Sequence, residues 1–290
     1  MRGVDPLVVG IDGSESSLEA VDWAADEATR HRAPLHLVHA AALPGVGHGD
    51  LIALASHRAR QRTDAPVSSE ALPGDAVAEL VDMSRRARIL VLGARGADGR
   101  AEVTLGSVAV KVTERSACPV VVVRGAAQHR NVRFGNIVVG VEYGEGSDPA
   151  VDFGLREASV RRCALAAVYA WNPLTGTPPE SPPPFWYALE AHRRSPAQVL
   201  KDALRGAEEC YPDVVVNCHV AEEPARKALL RAAEGADLLV VGIGRRDGPF
   251  GLRLGLIDSL LLERSPCPVA VVPRHSPWAR RSAVGVQGAA

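Results

Sequence analysis

The chain has 290 residues, of which 47% are hydrophobic and 23% charged, and its formal net charge is −1 at pH 7. That length exceeds what one hydrophobic core usually spans, so we expect two globular domains. A near-neutral chain with only 4% aromatic residues lacks the basic surface and the stacking side chains that nucleic acids and anionic membranes require, so we expect neither as a partner.

The predicted elements alternate between strands and helices in chain order. In the first half, short β-branched runs predict strands at 7–11, 35–41, 65–71, 89–93 and 120–123. Helices fit between these runs, and Ser16 with Glu19 predicts a capping box at the start of the first helix. Strands that alternate with helices indicate a parallel, doubly wound α/β sheet.

The second half repeats this order because the sequence is duplicated. The run VVGI at 8–11 returns as VVGV at 138–141, an offset of 130, and CPV at 118–120 returns at 267–269, an offset of 149. The difference of about 19 residues predicts an insertion that includes the Pro-rich stretch at 178–184. A long helix is predicted after it, at 186–210.

The duplication predicts two tandem α/β domains, each a doubly wound, five-stranded parallel sheet flanked by helices. We place the domains at 1–125 and 135–274, joined by a linker at 126–134 and followed by a flexible tail at 275–290. The fifth strands, at 120–123 and 269–272, are apolar and could pair the two copies or two chains. We therefore expect a homodimer.

The segment after the fourth strand has the glycine spacing of a phosphate-binding loop. Gly93, Gly96, Gly106 and Ser107 follow the pattern G-x2-G-x9-G-S. Glycine lets a backbone turn tightly and approach an anion closely, and the free N–H groups of the helix that begins at Ser107 favour phosphate. Asp12 follows the first strand, at the edge of the sheet where an acid can accept from ribose hydroxyls or an adenine amine.

This loop, together with VGIDGS at 9–14, VHA at 38–40 and CPVVVV at 118–123, closely resembles the universal stress protein family. The resemblance covers nearly the whole chain twice, as in tandem-type members. It implies that the loop binds ATP or a related adenine nucleotide, with Mg²⁺ as a candidate companion ion, and it also implies a homodimer. The implied nucleotide-binding residues are Gly10, Asp12, Ala40, Gly93, Arg95, Gly96, Gly99, Gly106 and Ser107.

The resemblance also implies a role for each part of that set. Asp12 would hold the adenine or the ribose, and Ala40 would contact the base through its backbone. The glycines and Ser107 would surround the phosphates, with Gly99 in the flexible middle of the loop, and the Ser107 hydroxyl could instead cap its helix.

The second copy departs from the pattern. Arg245 replaces Gly96, Leu256 replaces Ser107 and Glu142 replaces Asp12, while Asp258 puts a negative charge in the first turn of the last helix. Arg245 could supply positive charge, but a bulky side chain at a glycine position more often fills the pocket. We therefore expect the first half to hold the nucleotide.

Three functions stay open on the sequence alone. The first is a nucleotide-binding regulatory protein of the stress response, acting through a partner that the sequence does not identify. The second is an enzyme that slowly hydrolyses the nucleotide. It has no evident general base, since Asp98 and Glu102 are interpreted as solvated loop charges. The third is a ligand-independent interaction scaffold. Whether ATP, ADP or a cyclic nucleotide is preferred is also open.

The sequence also bears on the location of the protein and on metal binding. Asp5 and Pro6 stand where the apolar part of a signal peptide would lie, so a cytoplasmic protein is expected. Five cysteines without a CxxC pair do not predict a disulfide framework or a zinc site. Cys118 and Cys267 are expected to be small core residues, and His39 is expected to be exposed at a strand end. The sequence identifies no metal ligands.

Overall fold

The computed structural model describes residues 4–41, 48–96, 105–126, 132–142, 149–171, 195–243 and 256–273. The strands are β1 Leu7–Gly10, β2 Leu35–Ala41, β3 Val67–Pro73, β4 Ile89–Gly93, β5 Val120–Val123, β6 Asn136–Val141, β7 Ala164–Ala170, β8 Val216–Ala221, β9 Leu238–Ile243 and β10 Val269–Pro273. The helices are α1 Glu15–His31, α2 His48–Arg60, α3 Ala76–Ser84, α4 Ser107–Arg115, α5 Pro149–Arg161, α6 Pro196–Ala203, α7 Ala207–Cys210, α8 Ala225–Ala233 and α9 Leu256–Arg264.

The strands form one ten-stranded sheet in the order β3-β2-β1-β4-β5-β10-β9-β6-β7-β8. Neighbours within each half are parallel, as predicted, whereas β5 and β10 pair antiparallel, with Val121 opposite Ala270. Of the two pairings that the sequence left open, the fifth strands make the one between the two copies. The antiparallel seam also means that the carboxyl ends of the strands point to opposite edges of the sheet in the two halves.

The seam is the most apolar part of the sheet. All residues of β5 and β10 are buried, and β-branched side chains of this kind pack well on a sheet that is covered on both faces. Because each fifth strand gives its edge to the other, neither leaves an open row of backbone donors and acceptors there. Cys118 and Cys267, just before these strands, are buried as expected.

Two predicted helix boundaries are wrong. Helix α1 begins at Glu15, and Ser14 is its N-cap, accepting from the Ser17 N–H, so Ser16 does not form the predicted capping box. The predicted helix at 186–210 is interrupted within its described part, because Gly206 between α6 and α7 has φ +78°, which a right-handed helix cannot accommodate. Residues 186–194, the Pro-rich stretch and the tail at 275–290 lie outside the described residues.

The two halves also meet through a buried charge cluster between α1 and α5. Glu27 and Glu157 occupy equivalent positions of the repeat, as do His31 and Arg161. His31 Nε2 lies 3.2 Å from Glu157 Oε2 and 3.6 Å from Glu27 Oε2. Arg161 Nη2 lies 2.8 Å from Glu27 Oε2, and its other terminal nitrogen contacts Glu157. Each carboxylate therefore faces a cation from the other half.

Electrostatics favour the charged state of this cluster. Burial of the His31 ring opposes protonation, but the charge of Glu157 and hydrogen bonds to Glu157 and Glu27 outweigh it and raise the pKa of His31 to about 9. The pKa values of Glu27 and Glu157 are lowered, because the neighbouring cations outweigh the desolvation that would raise them. The cluster is thus a set of ion pairs that spans the two halves.

Candidate functional site

The described ends of the glycine loop meet beside the end of β4. The Ala94 N–H donates to the Val123 carbonyl at 3.1 Å, and the Gly106 N–H donates to the Ala94 carbonyl at 2.8 Å. The loop therefore leaves β4 and returns to the same point, where α4 begins. Gly99 and the rest of 97–104 lie outside the described residues.

Gly93 packs against the first turn of α1, and Gly96 lies close to the turn after β1. A Cβ on Gly93 would lie 2.6 Å from the backbone C and O atoms of Ser16, which no real side chain tolerates. A Cβ on Gly96 would lie 3.2 Å from Asp12 Oδ2. Two stretches that are distant in sequence, the DGS turn at 12–14 and the glycine loop, are therefore in direct contact.

Hydrogen bonds hold these two stretches together. The Ser14 N–H donates to Asp12 Oδ1 at 3.0 Å, and the Ser14 hydroxyl donates to the same oxygen at 2.6 Å. The Ser14 hydroxyl also lies 3.2 Å from the Arg95 carbonyl oxygen, and the Arg95 N–H donates to Ser16 Oγ at 3.2 Å. Asp12 thus shapes the turn through Oδ1 while Oδ2 faces Gly96. The sequence reasoning missed Ser14 and Ser16 in this role, although the run of serines after Asp12 is a signal for it.

The remaining predicted residues of β1 and β2 lie at the same edge. Ala40, the last residue but one of β2, lies beside Leu72 of β3. His39 is half-buried rather than exposed, and its Nδ1–H donates to the Ile11 carbonyl at 2.8 Å, which fixes the chain just before Asp12. Gly10 faces the side chain of Leu92, whose Cδ2 would lie 2.7 Å from a Cβ there. A side chain at residue 10 would therefore have to displace the Leu92 side chain.

Helix α4 begins without a side-chain cap. Gly106 is its N-cap residue and accepts from the Val110 N–H at 3.2 Å, so the first-turn N–H groups at 107–109 have no acceptor within the helix. Ser107 is exposed as the first helical residue and does not cap the helix, so the capping alternative is wrong. The first turn contains no acidic residue. This helix end therefore favours an anion through its N–H groups and its dipole.

Two arginines lie near the point at which the loop leaves β4. Arg95 is exposed on the loop, and Arg124 directly follows β5. Burial lowers the pKa of Arg124 to about 10, and repulsion from the positive charge of Arg95 adds to the shift. Arg124 was not singled out from the sequence, because its neighbourhood is set by the seam between the halves.

The equivalent loop of the second half lies largely outside the described residues. Arg245 and the rest of 244–255 belong to that part, as does 143–148. Glu142 follows β6 and is exposed, and Leu256 opens α9. The predicted difference between the two loops therefore stays a prediction.

One group among the described residues has the spacing of a metal site, but it is not at the loop. Ligand atoms of Glu27, His31 and Glu157 lie within 4.8 Å of one another. Arg161 contacts both carboxylates, so the negative charge that would attract a cation is already balanced. A cavity of about 280 Å³ next to this cluster is lined mostly by paired charged side chains, including those of Asp26 and Arg62.

A family model described as the universal stress protein family matches residues 3–124 and again residues 133–273. The chain belongs to the universal stress protein family. Two separate matches are consistent with a tandem-type member. Universal stress protein Rv2623 of Mycobacterium tuberculosis is 30% identical over 292 residues, covering 93% of this chain and 96% of that protein. Universal stress protein Rv2005c of the same organism is 32% identical over 293 residues, covering 93% and 97%.

Solved structures show the same universal stress protein fold. A universal stress protein from Archaeoglobus fulgidus DSM 4304 covers 95% of this chain and 100% of its own, with 18% identity and a TM-score of 0.66. This match shows a likeness of fold over nearly the whole chain. Among the described residues, no helix combines the length and apolar character needed to cross a bilayer.

Proposed function

We propose that this member of the universal stress protein family binds an adenine nucleotide, with ATP as the first candidate, at the glycine loop of its first half. The observation that carries the proposal is that Gly96 lies close to Asp12, with a Cβ at residue 96 only 3.2 Å from Asp12 Oδ2, beside the uncapped start of α4. It puts an acid for the nucleoside and free N–H groups for the phosphates at one edge of the sheet.

Each end of such a nucleotide finds suitable chemistry. Asp12 accepts from ribose or adenine donors, and the Ala40 backbone lies at the end of the adjacent strand for a contact with the base. The phosphates face the first turn of α4, with Arg95 supplying positive charge. The glycines at 93 and 96 keep the loop close to the turn at 12–14 without side-chain collisions.

We propose a regulatory role for the bound nucleotide rather than a turnover role. Among the described residues of the loop, 93–96 and 105–107, none is an acid or a histidine that could activate water. Ligand occupancy would change the surface that a partner protein meets. The expected homodimer cannot use the fifth strands, because β5 and β10 already pair with each other, so it would need another surface. Light scattering coupled to size-exclusion chromatography measures whether it forms.

The proposal is tested by reversing the charge of the helix start without harming the helix. Ser107→Asp places a carboxylate in the first turn of α4, where it suits the dipole by about 0.3–1 kcal/mol but repels phosphate. Ser107→Asn is the neutral control of matched size. Isothermal titration of the full chain should show ATP binding weakened by more than about tenfold with Asp and by less than about threefold with Asn.

A panel of ATP, ADP, AMP and cAMP in the same titrations identifies the preferred phosphate chain. Equal ATP affinity of the Asp variant and the unaltered chain would place the phosphates elsewhere. No heat and no competition with any of the four nucleotides would overturn the proposed function. Chromatography of the nucleotide after long incubation reports hydrolysis separately.

A further inference from the structure

Arg124 lies where the glycine loop and the second half of the chain meet. It follows Val123, whose carbonyl accepts from the Ala94 N–H of the loop at 3.1 Å. Because β5 and β10 are antiparallel, the edge of the sheet at which β5 ends is the edge at which β10 begins. Helix α9, which precedes β10, therefore ends next to the nucleotide loop of the first half.

The guanidinium of Arg124 binds the end of that helix. Its Nε–H donates to the Ser265 carbonyl at 2.9 Å, and one terminal nitrogen donates to the Leu262 carbonyl. The last carbonyls of a helix lack intrahelical partners, and a cation there also suits the helix dipole. Arg124 of the first half thus acts as a C-terminal cap for the last helix of the second half.

The backbone after Arg124 is fixed against the second half as well. Gly125 has φ +88°, and a Cβ built on it would lie 1.8 Å from the Pro266 carbonyl oxygen. No other residue type fits at this position without moving one of the two halves. The backbone that carries the Arg124 side chain is therefore fixed in position by its contact with Pro266, just after α9.

Arg124 keeps binding capacity that α9 does not use. A guanidinium has five N–H donors in a planar fork, and the two hydrogen bonds to α9 leave three without a partner among the described residues. Arg95 is close enough to repel it, and Glu263 of α9 is the nearby acid that offsets this repulsion in part. Arg95 and Arg124 thus make a local excess of positive charge beside the glycine loop, which a polyphosphate would neutralise.

We propose that Arg124 binds the terminal phosphates of the nucleotide while it caps α9, so that a nucleoside di- or triphosphate in the first half tightens the docking of the second half. This inference rests on the proposed function and adds its regulation. The coupling is reciprocal, since a ligand that favours the docked arrangement is itself bound more tightly by it. A nucleoside monophosphate, whose phosphate ends at α4, would not reach Arg124 and would leave α9 unaffected.

The test uses the full chain and separates the phosphate contact from the folding of the seam. Arg124→Gln removes the charge and the fork, and Arg115→Gln at the exposed far end of α4 removes one positive charge as a matched control. Titration should show ATP affinity lowered about tenfold by Arg124→Gln, with AMP affinity changed by less than about twofold. Arg115→Gln should leave both affinities unchanged.

Hydrogen exchange provides a second measurement, whose response to ATP would be absent if Arg124 had only a structural role. In the unaltered chain, ATP should slow the exchange of the Ser265 amide, which donates to the Leu261 carbonyl at 2.9 Å, whereas AMP should not. In Arg124→Gln the response to ATP should be lost. Arg124→Lys keeps the charge but not the fork, so it should retain part of the ATP affinity and lose the exchange response, which preserves the test if the Gln variant fails to fold.

The outcomes distinguish the inference from the proposed function. If the unaltered chain binds ATP but Arg124→Gln binds it equally well, or if α9 exchange ignores ATP, the inference is overturned and the proposed nucleotide site stands. If the unaltered chain binds neither ATP nor AMP, both are overturned.

Discussion

Gly96 lies directly against Asp12: a Cβ at residue 96 would stand 3.2 Å from Asp12 Oδ2. This contact brings the turn after β1 and the loop after β4 to one point, and it explains why a side chain at residue 96 would intrude between the acid and the helix start. The second half carries Arg245 at the equivalent position. Placing an arginine at residue 96 therefore tests, in the first half, what the arginine of the second half does to nucleotide binding.

Copying the second-half residue into the first half, as Gly96→Arg, should weaken ATP binding by more than about tenfold. The large side chain would occupy the space beside Asp12 that the nucleotide needs. Gly96→Ala, which adds only the Cβ, serves as the graded control and should weaken binding less. Titration calorimetry measures both variants. Full ATP affinity in Gly96→Arg would mean that Arg245 does not exclude a nucleotide from the second half.

The acid after the first strand of each half provides a matched pair. Asp12→Asn should lower ATP affinity by about tenfold, because the amide oxygen can still accept from Ser14 and keep the turn while the charge is lost. Glu142→Gln makes the same change at the equivalent exposed position of the second half and should leave affinity unchanged. Lower affinity with Glu142→Gln and unchanged affinity with Asp12→Asn would show that the nucleotide binds to the second half instead.

Gly93→Ala should destabilise the fold by about 1–3 kcal/mol or more, because its Cβ would lie 2.6 Å from backbone atoms of Ser16 and backbone cannot yield as a flexible side chain does. Gly49→Ala is the control, since nothing lies within 4 Å of a Cβ there, and alanine in α2 should add up to about 1 kcal/mol. Urea denaturation measures the difference in the free energy of unfolding between each variant and the unaltered chain, provided that their m values are equal. Equal stability of the two variants would show that α1 moves easily away from the loop.

The cluster between the halves predicts a pH dependence of stability. The folded pKa of His31 is about 9, above its ordinary 6.5, so the folded state holds the proton more tightly than the unfolded chain. The contribution is therefore fully present below about pH 6.5 and is lost as pH rises through about 9, with an upper limit of about 3 kcal/mol.

The matched variant for this dependence is His31→Gln, which cannot titrate. The free energy of unfolding of the unaltered chain minus that of His31→Gln, measured by urea at pH values from 6 to 9.5, should fall across that window by roughly 1–3 kcal/mol. Taking the difference cancels the pH dependence that the two proteins share. A difference that stays constant with pH would show that His31 is not charged in the folded state.

The sequence predicted most of the fold because the strands are short apolar runs between clear turns. The duplication helped as well, because the same order of strands and helices was predicted independently in each half. It also predicted that the fifth strands could pair. The start of α1 was misplaced because two serines compete for the cap, and local patterns do not show that Ser16 is engaged by the Arg95 N–H instead. The roles of Glu27 and Arg124 depend on contacts between the halves, which no local pattern contains.

The antiparallel seam changes how the two copies meet each other. Each fifth strand finds its counterpart within the same polypeptide, so their association occurs at a fixed, high effective concentration and does not depend on how much protein the cell makes. The arrangement is also self-limiting, since a third copy fused to the chain would find no fifth-strand edge to extend. Duplication at this edge therefore ends at two.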